Sequence, residues 1–352
     1  AMQKMIENIG LSSQALVVFN PTGFAMGNII ETSLPDWCHS VKSEDGRLLP
    51  VQISHDNKAL VYVPFVSPKG YSVYELCREE ADVSGSAMII DSNLMENDFY
   101  RVELDTNGVI TSIYDKLNER EVIKQGEKAN KIVAYEDIPI RHDAWDINIY
   151  YKHKCWEVLD ADNIKVLERG PVRMTLRIER TFLDSRITQY IQLYRDIPRI
   201  DFRTRIDWKE RNILLKAHFP VDINASNATY DIQFGNIERP THWNTSWDKA
   251  KFEVCAHKWA DLSENGYGVS LLNDCKYGYD IKDGIMSITL LKSATYPNED
   301  ADREIHEFTY SLYPHAGNFR AAGTVQMAYA LNCPMYAKVE NMHAGSLPKE
   351  FS

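Results

Sequence analysis

The sequence predicts an all-β protein built of stacked antiparallel sheets. Three observations predict it: strand-period alternation recurs along almost the whole chain, helical periodicity is confined to about the first ten residues, and 44% hydrophobic content over 352 residues is enough to fill at least one large core. Residues 1–10 carry this helical pattern. Residues 16–19 form an apolar run closed by Asn20-Pro21, and residues 59–66 form a second, bounded by Pro68 and Gly70. A third strand, residues 71–76, alternates polar and apolar side chains. The segment 79–86 is charged, small and aperiodic, which divides the chain into a small β domain, residues 11–85, and a large one, residues 86–352. In the large domain, strands at 99–104 and 109–114 flank Asp105-Thr106-Asn107-Gly108, where Asn-Gly supplies the positive φ of a tight hairpin. Long alternating strands follow at 172–180, 187–194 and 200–208. In the last, Ile200, Phe202, Thr204, Ile206 and Trp208 share one face, and Asp201, Arg203, Arg205 and Asp207 share a face expected to be wet.

Bulk properties exclude several classes of function. A formal net charge of −11, with the acidic residues scattered, repels phosphate backbones and argues against nucleic acid as a partner. No run approaches the roughly 18 apolar residues of a membrane span, and the polar start Gln3-Lys4-Met5-Ile6-Glu7-Asn8 lacks the apolar stretch of a signal peptide. The expectation is a soluble, cytoplasmic chain with no membrane partner. Six cysteines at 38, 77, 155, 255, 275 and 333 contain no C-x-x-C pair, so buried reduced thiols are expected rather than a zinc ribbon or a disulfide framework. N-x-S/T matches such as those at Asn227 and Asn244 read as chance. Ala1 ahead of Met2 and the strand-like ending 347–352 suggest a fragment of a longer protein.

Two tryptophan-rich runs carry the candidate chemistry: Arg141-His142-Asp143-Ala144-Trp145-Asp146 and Arg239-Pro240-Thr241-His242-Trp243-Asn244-Thr245-Ser246-Trp247-Asp248. A flat aromatic ring offers a platform for the C–H face of a sugar, and carboxylates and amides bond its hydroxyls. Ile138-Pro139-Ile140 makes the first run a loop, in which Asp143 and Asp146 can converge. Two carboxylates about 5 Å apart would form a retaining glycosidase pair. In the alternative reading they cap a turn that Trp145 anchors. The second run reads as an irregular loop, either pinned to a core or serving as a ligand platform. Residues 255–261 and 273–280 divide likewise between hydroxyl recognition and edge-strand packing. His142 with Asp146, or His257 with Asp261, has i,i+4 spacing that serves a metal only on a helix, so no metal ligand is expected. Nucleotide-binding glycine loops and a G-x-S-x-G elbow are absent from the sequence.

From about Asn97 to Asp280 the chain closely resembles the C-terminal β region of glycoside hydrolase family 38 α-mannosidases, of the cytosolic and bacterial type. Ordered blocks carry the resemblance: Glu96-Asn97-Asp98-Phe99-Tyr100; Asp143-Ala144-Trp145-Asp146; Asp207-Trp208-Lys209-Glu210; Leu214-Leu215-Lys216; Gln233-Phe234-Gly235-Asn236 leading into Glu238-Arg239-Pro240-Thr241-His242; and His257-Lys258-Trp259-Ala260-Asp261. Val18-Phe19-Asn20-Pro21 is similar to the small β domain that precedes this region in the family. The resemblance implies a small β-sandwich followed by a large supersandwich like that of galactose mutarotase, with residues 1–10 as the end of a preceding helical segment. It also implies a catalytic N-terminal barrel holding zinc through two histidines and two aspartates. The zinc signature opens with His-x-Asp, and none of the ten histidines here is followed two positions later by Asp.

Three consequences are expected from the resemblance. The chain contains no catalytic residues and no metal of its own, and is inactive alone. It packs on the missing N-terminal catalytic domain and lends a loop to the rim of the cleft that takes the α-mannoside, with Trp145 as the leading contact, then Asp143, Asp146 and His142. Its naked packing face invites homo-oligomerisation. Two other readings are a stand-alone carbohydrate-binding module using the tryptophan loops, and a mutarotase-like sugar epimerase with a His and a Glu as acid and base.

Overall fold

A computed structural model describes residues 2–85 and 87–351; Ala1, Ser86 and Ser352, which include the first and last residues of the expected large domain, lie outside it. The described residues form four sheets, and every pairing between their strands is antiparallel. Sheet pairing and alternation agree with the all-β expectation.

The large unit is a supersandwich. Its nine-stranded sheet runs in the order Asn163–Arg169, Arg173–Phe182, Ser185–Tyr194, Ile200–Asp207, Ile305–Ala316, Tyr267–Asn273, Trp259–Glu264, Asn227–Ile232, Gly235–Pro240. Facing it are a six-stranded sheet (Cys155–Glu157, Lys131–Glu136, Ile213–Pro220, Ile285–Lys292, Gly278–Lys282, Val254–Cys255) and a five-stranded one spanning Ile89–Asp91 to Arg120–Glu121. One continuous apolar core joins all three, and Ile200, Phe202, Ile206 and Trp208 lie fully inside it. The hairpin at Asp105 closes as the Asn-Gly signal requires, with Gly108 at φ +68° and its N–H donating to the Asp105 carbonyl at 2.9 Å. A Cβ there would lie 3.0 Å from Ile178 Cδ1, so the position favours glycine on both conformation and space.

The small unit is an eight-stranded sheet with apolar clusters on both faces. Strand Ala15–Phe19 is buried at every position because Leu16 and Val18 face one cluster, while Ala15, Val17 and Phe19 face the other. Helix Met2–Ile6 and the residues after it cover that second face, with Ile6, Ile9 and Leu11 inside. The chain does not stay in the large unit after residue 86. Strand Tyr336–Glu340 pairs with Ala15–Phe19, and Glu350–Phe351 pairs with Tyr71–Cys77, so the last residues complete the small sheet.

The two units meet through a buried polar junction. Gln52 donates to the Arg173 carbonyl at 2.9 Å and accepts from the Val172 and Arg173 amides at 2.8 Å each. Arg173 grips Glu168 through two bonds, at 2.8 and 2.9 Å, and reaches Glu31 at 2.7 Å; the His55 amide donates to Glu168 at 2.9 Å. Burial pushes the Glu168 carboxyl up, but the Arg173 guanidinium outweighs it and holds the pKa at about 2.

Two expectations are corrected here. The face of strand Ile200–Asp207 expected to be wet is exposed at Arg203 and Arg205 and half-exposed at Asp207; Asp201 is buried, bonded by Arg199 at 2.6 and 2.9 Å and by Ser311 at 2.6 Å. Helix is not confined to the start of the chain: Thr324–Asn332 lies on the outer face of the nine-stranded sheet, where Ala328 packs in one cluster with Trp259, Leu272, Tyr313 and Phe319.

Candidate functional site

The central strand of the six-stranded sheet, Ile213–Pro220, is buried at all eight positions. Leu215, Ala217 and Phe219 enter the main core. On the outer face, Leu214 packs with Val133, Tyr135 and Tyr151, against Ile147 and Phe252. Two segments therefore roof this face, residues 137–153 and residues 241–253, and they hold the two tryptophan runs.

The first segment is clamped at its base. Asp137, 1% exposed, accepts from Lys292 Nζ; burial raises its pKa and the ammonium opposes that rise. His142 adopts φ +56°, and its carbonyl accepts from the amides of Trp145 at 2.7 Å and Asp146 at 2.9 Å, closing a tight turn. Asp143 points inward: its Oδ2 accepts from the Thr295 amide at 2.6 Å, the Thr295 hydroxyl at 2.9 Å and the Tyr296 amide at 3.2 Å. Trp145 points outward, 67% exposed, with its ring 6.3 Å from that of His142 in an edge-to-face arrangement. Asp146 and His142 are exposed beside it, as are Ile138, Ile140 and Tyr150.

Of the four candidates, the structure presents His142, Trp145 and Asp146 together at the loop tip. Asp143 is turned to the base, where three donors on one oxygen make it a fixed acceptor rather than a free nucleophile.

The second segment departs from the irregular loop expected. After strand Gly235–Pro240 comes a short helix, Ser246–Ala250, opened by a capping box: Asp248 N–H donates to Thr245 Oγ1 at 3.2 Å, and Thr245 N–H to Asp248 Oδ2 at 3.0 Å. The T-S-W-D pattern carried that signal. Trp243 donates through Nε1 to Asp283 at 2.8 Å, and the Lys282 ammonium lies 4.9 Å from its ring centroid. Trp247 is 79% exposed. The runs 255–261 and 273–280 resolve mainly to packing. Trp259 stacks on Phe319 at 4.8 Å, and Asp261 is buried against His315 and Ser270 at 2.8 Å each.

Beneath both segments lies a charged cluster with no role assigned from sequence. Lys216, fully buried, lies 3.0 Å from Asp280 Oδ2, contacts Glu253, and is 3.3 Å from the Tyr151 hydroxyl. Tyr151 donates to Glu253 at 2.5 Å, and Lys152 reaches Asp280 at 2.8 Å. Burial acts against every charge here. At Asp280, Lys216 and Lys152 outweigh it and hold the carboxyl down; at Glu253 burial prevails and the carboxyl is raised. Neighbouring His218 is pushed down to about 3 by burial and then by Lys216, and as a neutral ring it bonds Tyr135 at 2.9 Å and Ser287 at 2.7 Å. A lysine inside the apolar run Ile213-Leu214-Leu215-Lys216-Ala217 was a visible signal, but its partners are distant in sequence.

Among the described residues, one group of three brings metal-competent atoms within 4.8 Å of one another: Asp302, Glu304 and His306. It offers a single imidazole, whose Nε2 bonds the Asp302 carbonyl at 2.7 Å, and so does not fit the two-histidine, two-aspartate zinc set that the resemblance implies.

Comparison with known proteins bears on this arrangement. Residues 95–300 match the model of the glycosyl hydrolases family 38 C-terminal domain. The Homo sapiens protein named alpha-mannosidase 2C1 is 43% identical over 248 residues, covering 69% of this chain and 24% of that protein. Alpha-mannosidase G of Dictyostelium discoideum is 38% identical over 321 residues, covering 88% of this chain and 28% of that protein. The crystal structure of an alpha-mannosidase from Enterococcus faecalis V583 superposes with a TM-score of 0.77 at 16% identity, over 99% of this chain and 49% of that one. The chain thus spans about a quarter of the length of the curated relatives it matches.

Proposed function

This chain belongs to glycosyl hydrolase family 38 and carries its C-terminal domain, and from that premise we propose that it forms the non-catalytic part of a retaining α-mannosidase, packing on an N-terminal catalytic domain and lending the 137–153 loop to the rim of the substrate cleft. One observation carries this reading: a large aromatic ring, Trp145, is held outward on a loop whose base is clamped by Asp143 and Asp137. An exposed tryptophan on a fixed loop is pre-organised to cover an apolar sugar face, so little ordering entropy opposes contact. Asp146 and His142 supply a carboxylate acceptor and an imidazole beside it for hydroxyls of the substrate or leaving group. Asp143 orients the loop.

In this reading, the nucleophile, the general acid and the zinc that orients the mannose hydroxyls belong to the part outside this chain, and no step of bond cleavage runs through these residues. We place the enzyme in the cytoplasm, supported by six free cysteines, three of them exposed. No helix is long and apolar enough to cross a membrane among the described residues.

The test is Trp145→Ala in the enzyme carrying the catalytic domain, assayed on an α-mannoside. Loss of one stacking contact predicts a fall in kcat/KM of about 10- to 100-fold with the melting temperature unchanged. Unchanged kinetics would remove the rim role. A carbohydrate-binding module remains a second reading, favoured by the exposure of both Trp145 and Trp247. It predicts saturable heats when mannobiose is titrated onto this chain alone, lost in Trp247→Ala.

A further inference from the structure

Lys216, Asp280, Glu253 and Tyr151 come from separate pieces of chain. Lys216 and Asp280 sit on the sheet; Tyr151 ends the first roof segment and Glu253 the second. With Lys152 on Asp280, the cluster holds two ammonium groups and two carboxylates, which cancel. Neither segment can lift without stranding a buried charge on the other pieces, because Glu253 leaves Lys216 under-compensated and Lys152 leaves Asp280 so. Phe252 of the second segment packs on the apolar cluster that holds Tyr151 of the first, and the Tyr151 hydroxyl adds a direct hydrogen bond between the two segments, at 2.5 Å from Glu253 Oε1, while also lying 3.3 Å from Lys216 Nζ. A further, weaker link crosses the same gap: the Lys152 ammonium is 6.0 Å from the Trp243 ring centroid.

We propose that Tyr151 is a positioning residue whose hydroxyl, over the Lys216–Glu253–Asp280 cluster, locks the Trp145 loop and the Trp243–Trp247 segment into one rim that moves as a unit. The functional part of this inference rests on the rim reading above; the mechanical part does not. Asp143 fixes where the first loop leaves the sheet, and the ion cluster fixes the two tryptophan segments relative to each other. Substrate would then meet a surface of two aromatic arms with a set spacing, so the cluster acts on binding without touching the sugar.

The decisive variants are Tyr151→Phe, which removes only a hydroxyl, and Glu253→Gln, which keeps size; Lys216→Met risks misfolding and is avoided. In hydrogen-exchange mass spectrometry on this chain, Tyr151→Phe is expected to raise exchange about fivefold or more in both 138–150 and 241–253, leaving strand Arg173–Phe182 unchanged. Acceleration in one segment only, or in neither, overturns the coupling. In the enzyme with its catalytic domain, each variant is expected to raise KM for an α-mannoside about fivefold with little change in kcat, and the effect of the double variant to fall short of the product of the two, since Tyr151→Phe deletes the bond whose acceptor Glu253→Gln weakens. Multiplying effects would overturn the shared link. Joint loosening of the two segments with unaltered KM would support the coupling and remove the rim reading, so the two failures are distinguishable.

Discussion

Glu168→Gln tests the junction between the two units. Glu168 and Arg173 have side chains 2% and 3% exposed, and Glu168 takes two guanidinium bonds, the His55 amide and the Thr175 hydroxyl. Removing one partner of a buried ion pair typically costs about 3–5 kcal/mol. Glutamine keeps an acceptor and Glu31 still faces Arg173 at 2.7 Å, so the loss should fall at or below the lower end of that range, about 2–3 kcal/mol. Linkage gives a second route to the size. A carboxyl at about 2 when folded and at its ordinary 4.5 when free carries at most about 3 kcal/mol above pH 4.5, somewhat less after solvent screening. A depressed carboxylate stabilises above its free pKa, so this contribution is lost as pH falls from about 4.5 to about 2. Urea unfolding at pH 7 should show the midpoint lowered at constant slope, with the difference between variant and parent shrinking at pH 3. A variant within about 0.5 kcal/mol of the parent at pH 7 would refute the assignment of the junction as the tie between the units.

Other consequences follow from the same geometry. Asp143→Ala strands three donors and should loosen the 138–150 loop by about 2 kcal/mol while leaving global unfolding nearly unchanged, read as faster amide exchange there; unaltered exchange would exclude the clamp. His218, held neutral to about pH 3 against an ordinary 6.5, binds its proton more weakly when folded, so stability should decline as pH falls from 6.5 to 3. His218→Gln should flatten that decline, and a profile identical to the parent would contradict it. Exposed Ile138, Ile140, Trp145 and Tyr150 predict self-association of this chain alone, seen as a concentration-dependent mass in light scattering and abolished by Ile140→Asp; a monomer at every concentration would count against a naked packing face.

Strands with a clear period were legible because alternation is a local property. Residues 59–66 and 200–208 needed no knowledge of partners, and the observed strands Ala59–Val66 and Ile200–Asp207 follow them closely. What covers a strand is not local. Asp201 carried the same signal as Arg203, yet Arg199 and Ser311 take it out of water. Helix Thr324–Asn332 hid because its buried residues, Thr324, Ala328 and Ala330, are small and leave a weak apolar stripe. The return of Tyr336–Glu340 to Ala15–Phe19 spans more than three hundred residues, beyond any periodicity.

At the candidate site, Ile138-Pro139-Ile140 announced a loop and residue type nominated Trp145. That Asp143 faces inward depends on Thr295 and Tyr296, about 150 residues later, and the partners of Lys216 lie 37 to 65 residues from it in sequence. Family membership was legible for a different reason: ordered blocks of several residues preserve information that single side chains do not.

The most direct measurement is turnover of an aryl α-mannoside by this purified chain with zinc added, beside the same assay after the catalytic domain is supplied. Hydrolysis no faster than buffer for the chain alone, and turnover that appears with its partner and falls in Trp145→Ala, is the predicted result. Zinc-dependent release of the aryl group by these 352 residues alone would contradict the account at its root.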